Sequence, residues 1–332
     1  MISARLRANL RREFRESLLA RLGLVIMIAI LLMGLFAPVL ATHDPARTGH
    51  FDEHGNSYPP WGLSHTAHMW EDGERVSYQT TPSPEHYLGT NNLGQDVYSR
   101  FIYGARTSLM VGILGTLLAV LIGVPFGLAS GYFGGRVDDG MMRIADVMLA
   151  FPALVLALAL IGVFGTGAIH VPDPFVAAGV VEGMPATTIL PGTVTLVVAL
   201  VTWVWFARVA RGEAISIRNE AYVKAARSLG ASDTTILLKH VLPNSLTPVI
   251  VLATIQVAVI ILLESALSFL GFSGTTLSWG YEIQQGQNYL RSAWWVATVP
   301  GIGIVLAVIG INLLGDWLRD ALDPNIAGER GG

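Results

Sequence analysis

Thr107–Phe133 reads TSLMVGILGTLLAVLIGVPFGLASGYF, a run without a single Asp, Glu, Lys, Arg or His. A hydrocarbon core about 30 Å thick is crossed by about 20 apolar residues in a helix, and this run is longer than that. Its residues are apolar all round. A barrel strand would alternate apolar and polar positions over about ten residues, and in lipid only a helix satisfies its own backbone within one segment. Five further blocks of the same kind lie on either side: Leu22–Ala41, Val147–Ile169, Thr187–Ala207, Ser245–Leu270 and Ser292–Gly315. The expectation is an all-α membrane protein with six transmembrane helices.

Composition agrees. Of 332 residues, 52% are hydrophobic and only 14% charged, against roughly 25% charged in soluble domains. A net charge of −3 leaves no basic footprint for nucleic acid. The absence of cysteine excludes disulfides, thiolate zinc sites and a cysteine nucleophile. No G-x-S-x-G or H-E-x-x-H occurs, and the spans offer no catalytic pair, so no catalytic residue and no metal site are expected.

Basic residues near span ends set orientation. Arg5, Arg7, Arg11, Arg12, Arg15 and Arg21 precede the first block, and Arg208, Arg211, Arg218, Lys224, Arg227 and Lys239 follow the fourth. The turn around Arg136 and Arg143 carries arginines too and is placed on the same side. The segment from Gly167 to Ala186 carries Asp173 and Glu182 without Lys or Arg, and Thr42–Arg100 leans acidic. One topology accommodates all of these, N-in and C-in. The first block follows an arginine-rich front and ends at Ala41, as a secretory signal might end, but a signal core is about 7–15 residues; a retained span is expected. The chain then divides into a cytoplasmic segment 1–21, a first span 22–41, an extracytoplasmic segment 42–100, a five-helix core 101–320 with a cytoplasmic loop 213–244, and a tail 321–332.

That loop contains EAYVKAARSLGASDTTILLKHVLPN, Glu220 to Asn244. Ala221, Ala225, Ala226 and Leu229 are spaced for one helix, which Gly230 ends in positive φ. Ser232 or Asp233 caps a second helix, Ile236, Leu237 and Val241 give it an apolar side, and Pro243 closes it before the fifth span. A compact helical hairpin in the cytoplasm has a purpose if something docks on it, and alanines on its face permit close approach.

Lys224-Ala225-Ala226, Gly230 and Leu242-Pro243 resemble the EAA loop of ABC-importer permeases, with Lys224 where the family has Glu and His240 where it usually has Ile. His86–Leu109 is similar to the stretch ahead of the second span in the C-type permeases of dipeptide and oligopeptide importers, with Asn91 and Gln95 where Asp and Arg are usual and Asp96, Ser99, Arg100, Gly104, Ala105 and Arg106 matching. Asp146 with Ala150-Phe151-Pro152, Leu263-Glu264, Phe269 to Phe272, Ser278-Trp279-Gly280, Asn312 to Asp316 and Leu318 to Pro324 match in order as well. The resemblance implies a type I ABC-importer permease fold in the inner membrane. It implies a coupling loop formed by Glu220, Lys224, Ala225, Ala226, Gly230, Ala231, Ser232, Asp233, Leu242 and Pro243. It also implies a second permease subunit as partner, two ABC ATPase subunits carrying ATP and Mg, an extracytoplasmic substrate-binding protein, and di- or oligopeptides as cargo.

The chain cannot hydrolyse ATP itself. A P-loop needs Lys after Gly, and the two lysines, Lys224 and Lys239, follow Val and Leu. The alternative is a secondary carrier or channel working without an ATPase. Carriers hold ionisable groups at mid-membrane depth, whereas here the block centres carry none; Asp146 and Glu264 lie near block ends, as interfacial or packing residues. Gln256 and Asn312 are the deepest polar residues and the candidates for the translocation path, with helix–helix hydrogen bonding as the competing reading. Gly123, Pro125, Gly127, Pro152, Pro191, Gly192, Pro300, Gly301 and Gly303 interrupt the spans, read as packing positions ahead of hinges. In the external segment, His65 and His68 are spaced as a helical metal pair would be, weighed against a solvated loop, and the aromatic-rich stretch 42–85 is expected to form a lid or a docking surface.

Overall fold

The computed structural model describes residues 14–71 and 74–322. Its elements run α1 (Leu18–Leu35), α2 (Ala37–Leu40), β1 (His65–Glu71), β2 (Glu74–Thr80), α3 (Val97–Phe133), α4 (Gly135–Leu149), α5 (Ala153–Phe164), β3 (Ile169–Pro172), α6 (Pro174–Ala177), β4 (Thr187–Leu190), α7 (Gly192–Ile217), α8 (Ala221–Ser228), α9 (Asp233–Ile236), α10 (Leu242–Phe269), α11 (Trp279–Gly286) and α12 (Trp295–Leu322). Among the described residues, five helices are long and apolar enough to cross a membrane, and the bent pair α4–α5, counted as one broken span, brings the number to six. The arginines before Phe14, and Asp323 and Pro324 of the last matched motif, lie outside the described residues.

Two blocks differ from their expected form. Helix α5 has 12 residues, about 18 Å at 1.5 Å per residue, too short to cross alone. It meets α4 at 89°, because Pro152 cannot continue a helix that reaches Ala150. Val147–Leu149 therefore belong to α4, and Ile169 opens β3. The fourth span starts at Gly192, not Thr187. Thr187–Leu190 pair antiparallel with Ile169–Pro172, Ile169 opposite Leu190, and Pro191 stands at the N-cap of α7, where its missing N–H costs nothing.

The core is a close crossing of α3 and α7. Gly123, Gly127 and Gly131 recur every four residues on α3, and a Cβ on any of them would overlap the carbonyl oxygen of Trp203, Ala207 or Arg211, which recur every four residues on α7. Small residues bring two backbones together in this way. Ala119, Val124 and Leu128 then pack with Trp203, Phe206, Ala207 and Ala210 in one buried cluster. Pro125 sits inside α3 without ending it. On the other side, α1 packs on α12 and α3: Gly23 faces Leu313 and Gly310, Gly34 faces Arg106, and Gly310 faces Ile26 and Met27.

Candidate coupling site and translocation path

At the cytoplasmic end, α8 stops in a double hydrogen-bond closure. The Ala231 N–H donates to Ala226 O at 3.1 Å and the Gly230 N–H to Arg227 O at 3.0 Å, with Gly230 at φ +85°. This closure satisfies the last carbonyls of a helix and requires a left-handed residue at its centre. Ser232 caps α9, its Oγ accepting from Thr235 N at 3.3 Å. Of the two capping candidates, Ser232 holds that position, and Asp233 is the first residue of the helix.

The expected stop at Pro243 is absent. A π-helical turn, Leu237–Val241, joins α9 directly to α10, and Pro243 lies in the first turn of α10. Proline lacks the N–H that would bond one turn back, and the widened turn lets Leu242 N–H reach Leu237 O instead. The hairpin is thus mechanically continuous with the fifth span.

Val223, Ile236 and Val241 are buried against Tyr132, Ala214 and Ile217. Tyr132 at the end of α3 accepts from Arg227 at 2.8 Å and donates to Asp233 at 2.5 Å, with the Arg227 guanidinium 5.4 Å from the ring centroid. The bond to Tyr132 holds the Arg227 pKa above its ordinary value. Arg218 donates to the carbonyls of Gly131 and Tyr132 at 2.8 and 3.2 Å. The outer face is left open: Leu229 is 88% exposed and Leu238 60%, and Glu220, Lys224, Ala225, Ser232 and Asp233 are exposed beside them. Among the expected loop residues, Ala226 and Ala231 are half-buried, Leu242 is half-buried and Pro243 is exposed.

The two path candidates occupy different environments. Gln256 on α10 is buried and its Oε1 has no hydrogen-bond partner; Asn312 on α12 is exposed. Asp146 makes a surface ion pair with Arg208 at 2.8 Å. Glu264 is fully buried, accepting from Ser108 at 3.1 Å and Ser268 at 2.7 Å, which ties α10 to α3 as a packing residue would.

The extracytoplasmic end is built around charges whose pairing could not be read along the chain. Arg100 donates to Glu282 at 2.6 Å, both buried, and also to the carbonyls of Pro45 and Thr276. Arg106 pairs with Asp173. Asp96 caps α3: it accepts from Ser99 N at 2.8 Å, Ser99 Oγ at 2.6 Å and His86 Nδ1 at 2.9 Å. Burial pushes the Asp96 carboxyl up, but the bonds from His86 and Ser99 outweigh it and hold it below the ordinary range. Asp173 behaves alike, burial being outweighed by Arg106 and by the N–H groups of Phe175 and Val176. Trp279 of α11 donates to Phe101 O at 2.9 Å and lies where a Cβ on Gly104 would clash, while Gly280 fits against the Ser265 backbone. The matched segments 96–106, 263–272 and 278–280 thus converge on one buried seam. In the external segment, β1 and β2 pair with His65 opposite Thr80. His65 and His68 lie on a strand, so the helical spacing that suggested a metal pair does not apply; their side chains lie outside the described residues.

Fold and site define a multi-pass helical membrane component whose cytoplasmic hairpin is presented for contact. The model for the binding-protein-dependent transport system inner membrane component matches residues 123–328, and that for the N-terminal TM domain of oligopeptide transport permease C matches residues 6–60. The chain is 32% identical over 317 residues to the dipeptide transport system permease protein DppC of Alkalihalophilus pseudofirmus, covering 95% of this chain and 88% of the relative. It is 34% identical over 308 residues to the probable D,D-dipeptide transport system permease protein DdpC of Escherichia coli, covering 92% and 87%. It is 32% identical over 316 residues to the oligopeptide transport system permease protein OppC of Bacillus subtilis, covering 95% and 88%. Among solved structures, the inward-facing MetNI methionine ABC transporter is similar in fold, with a TM-score of 0.52 at 17% identity over 68% of this chain and 97% of that one. The chain belongs to the family of binding-protein-dependent transport system inner membrane components, the permease subunits of ABC importers. It is a multi-pass inner-membrane protein without an ATPase motif of its own. The carrier or channel alternative finds no support in these comparisons.

Proposed function

We propose that this permease imports di- or oligopeptides with two ABC ATPase subunits, a second permease subunit and an extracytoplasmic substrate-binding protein, ATP and Mg being held by the ATPases. The peptide class rests on the relatives' names, three of which specify dipeptides or oligopeptides. The observation that carries the coupling role is the exposed hairpin, fastened to α3 through Tyr132 and continuous with α10 through its π turn.

Closure of the ATPase pair would press on the face bearing Lys224, Ala225 and Leu229. Because α8 and α9 are held against Tyr132 and run into α10, that displacement would reach two spans together, turning the pathway outward. Gln256 and Asn312 are the residues of this chain assigned to the path, and lipid covers the remaining apolar faces. The external hairpin β1–β2 would meet the binding protein. Gly49, His50 and Trp61 bond the backbone of Leu93, Gly94 and Tyr87, so a deletion of His65–Thr80 spares these bonds, and it is expected to impair stimulation of transport by the binding protein.

The test is purification of the tagged chain from its native membrane in mild detergent, followed by peptide uptake in proteoliposomes with the co-purified components. Co-purification of a P-loop ATPase and ATP-dependent accumulation of labelled peptides, but not of free amino acids, is expected. A chain that emerges alone, or uptake that ignores ATP, would overturn the proposal.

A further inference from the structure

Three histidines of the external segment, His43, His50 and His86, meet beside the N-terminus of α3. Ring centroids of His43 and His86 are 4.5 Å apart, His50 and His86 4.9 Å, and His43 and His50 5.6 Å. Glu85 joins them: a ligand atom from each of His43, Glu85 and His86 lies within 4.8 Å of the other two. We propose that His43, Glu85 and His86 form a binding site for a divalent cation of the zinc class, with Asp96 orienting His86 from behind.

Three features separate this group from scattered surface residues. First, His86 is 2% exposed and its Nδ1 is committed to Asp96 at 2.9 Å, leaving Nε2 for an ion. A metal-binding imidazole is characteristically held by a carboxylate on its other nitrogen, which sets its tautomer and raises its basicity. Second, His43 Nδ1 is 3.0 Å from Thr42 Oγ1, whose hydroxyl in turn lies 3.3 Å from Asp96 Oδ2, so the same carboxylate stands behind both rings. Third, His50 packs its ring against both His43 and His86 with its Nε2 buried and without a hydrogen-bond partner, an imidazole wall beside the three ligands. Asp96 accepts from Ser99, His86 and Thr42 and so supports the site without entering it. Two imidazoles and a carboxylate, with one position open, suit tetrahedral Zn²⁺; the same donors would take Ni²⁺ or Cu²⁺ according to availability. The ion would link the end of α2, the strand exit at Glu85 and the N-terminus of α3, fastening the external segment to a helix that also carries the coupling clamp at its other end.

The experiment is equilibrium dialysis of the purified full chain in detergent against ZnCl₂, with elemental analysis and thermal melting. The unaltered chain is expected to bind one zinc per chain at the site and to melt higher with zinc, as any ligand of the folded state requires. Glu85→Gln and His43→Gln, at exposed and half-buried positions, should each weaken binding at least tenfold while melting normally without zinc. Asp96→Asn keeps a capping oxygen and should weaken binding about 10–100-fold by loosening the hold on His86 and, through Thr42, on His43. Absence of stoichiometric zinc on the unaltered chain would overturn the proposal. So would a Glu85→Gln, His43→Gln double variant that binds with unchanged affinity, because the ion would then sit elsewhere.

Discussion

The two ends of α3 are fastened by opposite means. At the extracytoplasmic end, Arg100, Glu282, Asp96 and His86 are all at most 2% exposed, and Arg100 reaches Glu282, 182 positions away. At the cytoplasmic end, Arg227 and Asp233 are 56% and 59% exposed, and the clamp consists of one phenol between them. A buried pair is rigid, and losing one partner is costly. An exposed pair is worth little in stability and exchanges readily. The contrast fits the proposed division of labour, in which the rigid external seam holds geometry and the exposed hairpin receives motion from the ATPase.

Substitutions at the two ends should separate stability from coupling. Arg100→Met would leave the Glu282 carboxylate buried without its partner; a loss of about 3–5 kcal/mol is expected, read as a large fall in melting temperature and in folded yield. If that variant melts normally, the seam is not the rigid end. Gly230→Val should do the reverse. A β-branched residue at φ +85° costs roughly 1–2 kcal/mol locally, yet nothing lies within 4 Å of the added Cβ. Peptide uptake per ATP hydrolysed is expected to fall at least tenfold with the spans still folded; normal coupling would break the comparison. Tyr132→Phe removes the phenol that joins Arg227 to Asp233, two hydrogen bonds to charged groups that solvent screens at this largely exposed pair and that are worth about 0.2–1 kcal/mol. A severalfold drop in coupling efficiency with an unchanged melting temperature would sharpen the assignment of the clamp.

The smallest effect concerns pH. Asp96 and Asp173 are both held below the ordinary carboxylate range in the folded chain. The unfolded chain therefore binds more protons than the folded one in the acid region. Their stabilisation is present above the unfolded value near 4 and is lost as pH falls through the lower folded values. Hydrogen exchange of the residues after Asp96 should stay equally protected between pH 7 and 5 and rise only below pH 4. Loss of protection already at pH 5 would show that these carboxylates are not held low.

Local signals were legible along the chain. Gly230 ends α8 in positive φ and Ser232 caps the next helix, because both follow from chemistry within six residues. The family motifs pointed to the right class for the same reason: each is a short run. What could not be read was long-range or cumulative. The pairing of Arg100 with Glu282, 182 residues apart, has no periodic signature, and neither does the meeting of His43 with His86. The bend at Ala150–Pro152 was visible as a proline, but hydropathy averages across it, so one block stood for two helices. Pro243 signals a helix end in water-soluble contexts; here the π turn absorbs its missing donor and the helix runs on. The spacing of His65 and His68 suggested a helix because a polar stretch carries too little patterning to reveal a strand.

The most direct test of the account is site-specific cross-linking, made clean by the absence of cysteine. Leu229→Cys on the hairpin, 88% exposed, and Trp61→Cys on the external segment, 73% exposed, would each be labelled with a short thiol-directed photo-crosslinker, which needs no particular residue on the partner, in membranes containing the assembled transporter. The account predicts an adduct between Leu229→Cys and the ATPase subunit, with yield that changes on adding ATP, and none from Trp61→Cys. An assembled, transporting complex in which Leu229→Cys gives no ATPase adduct would contradict the claim that energy enters through this hairpin.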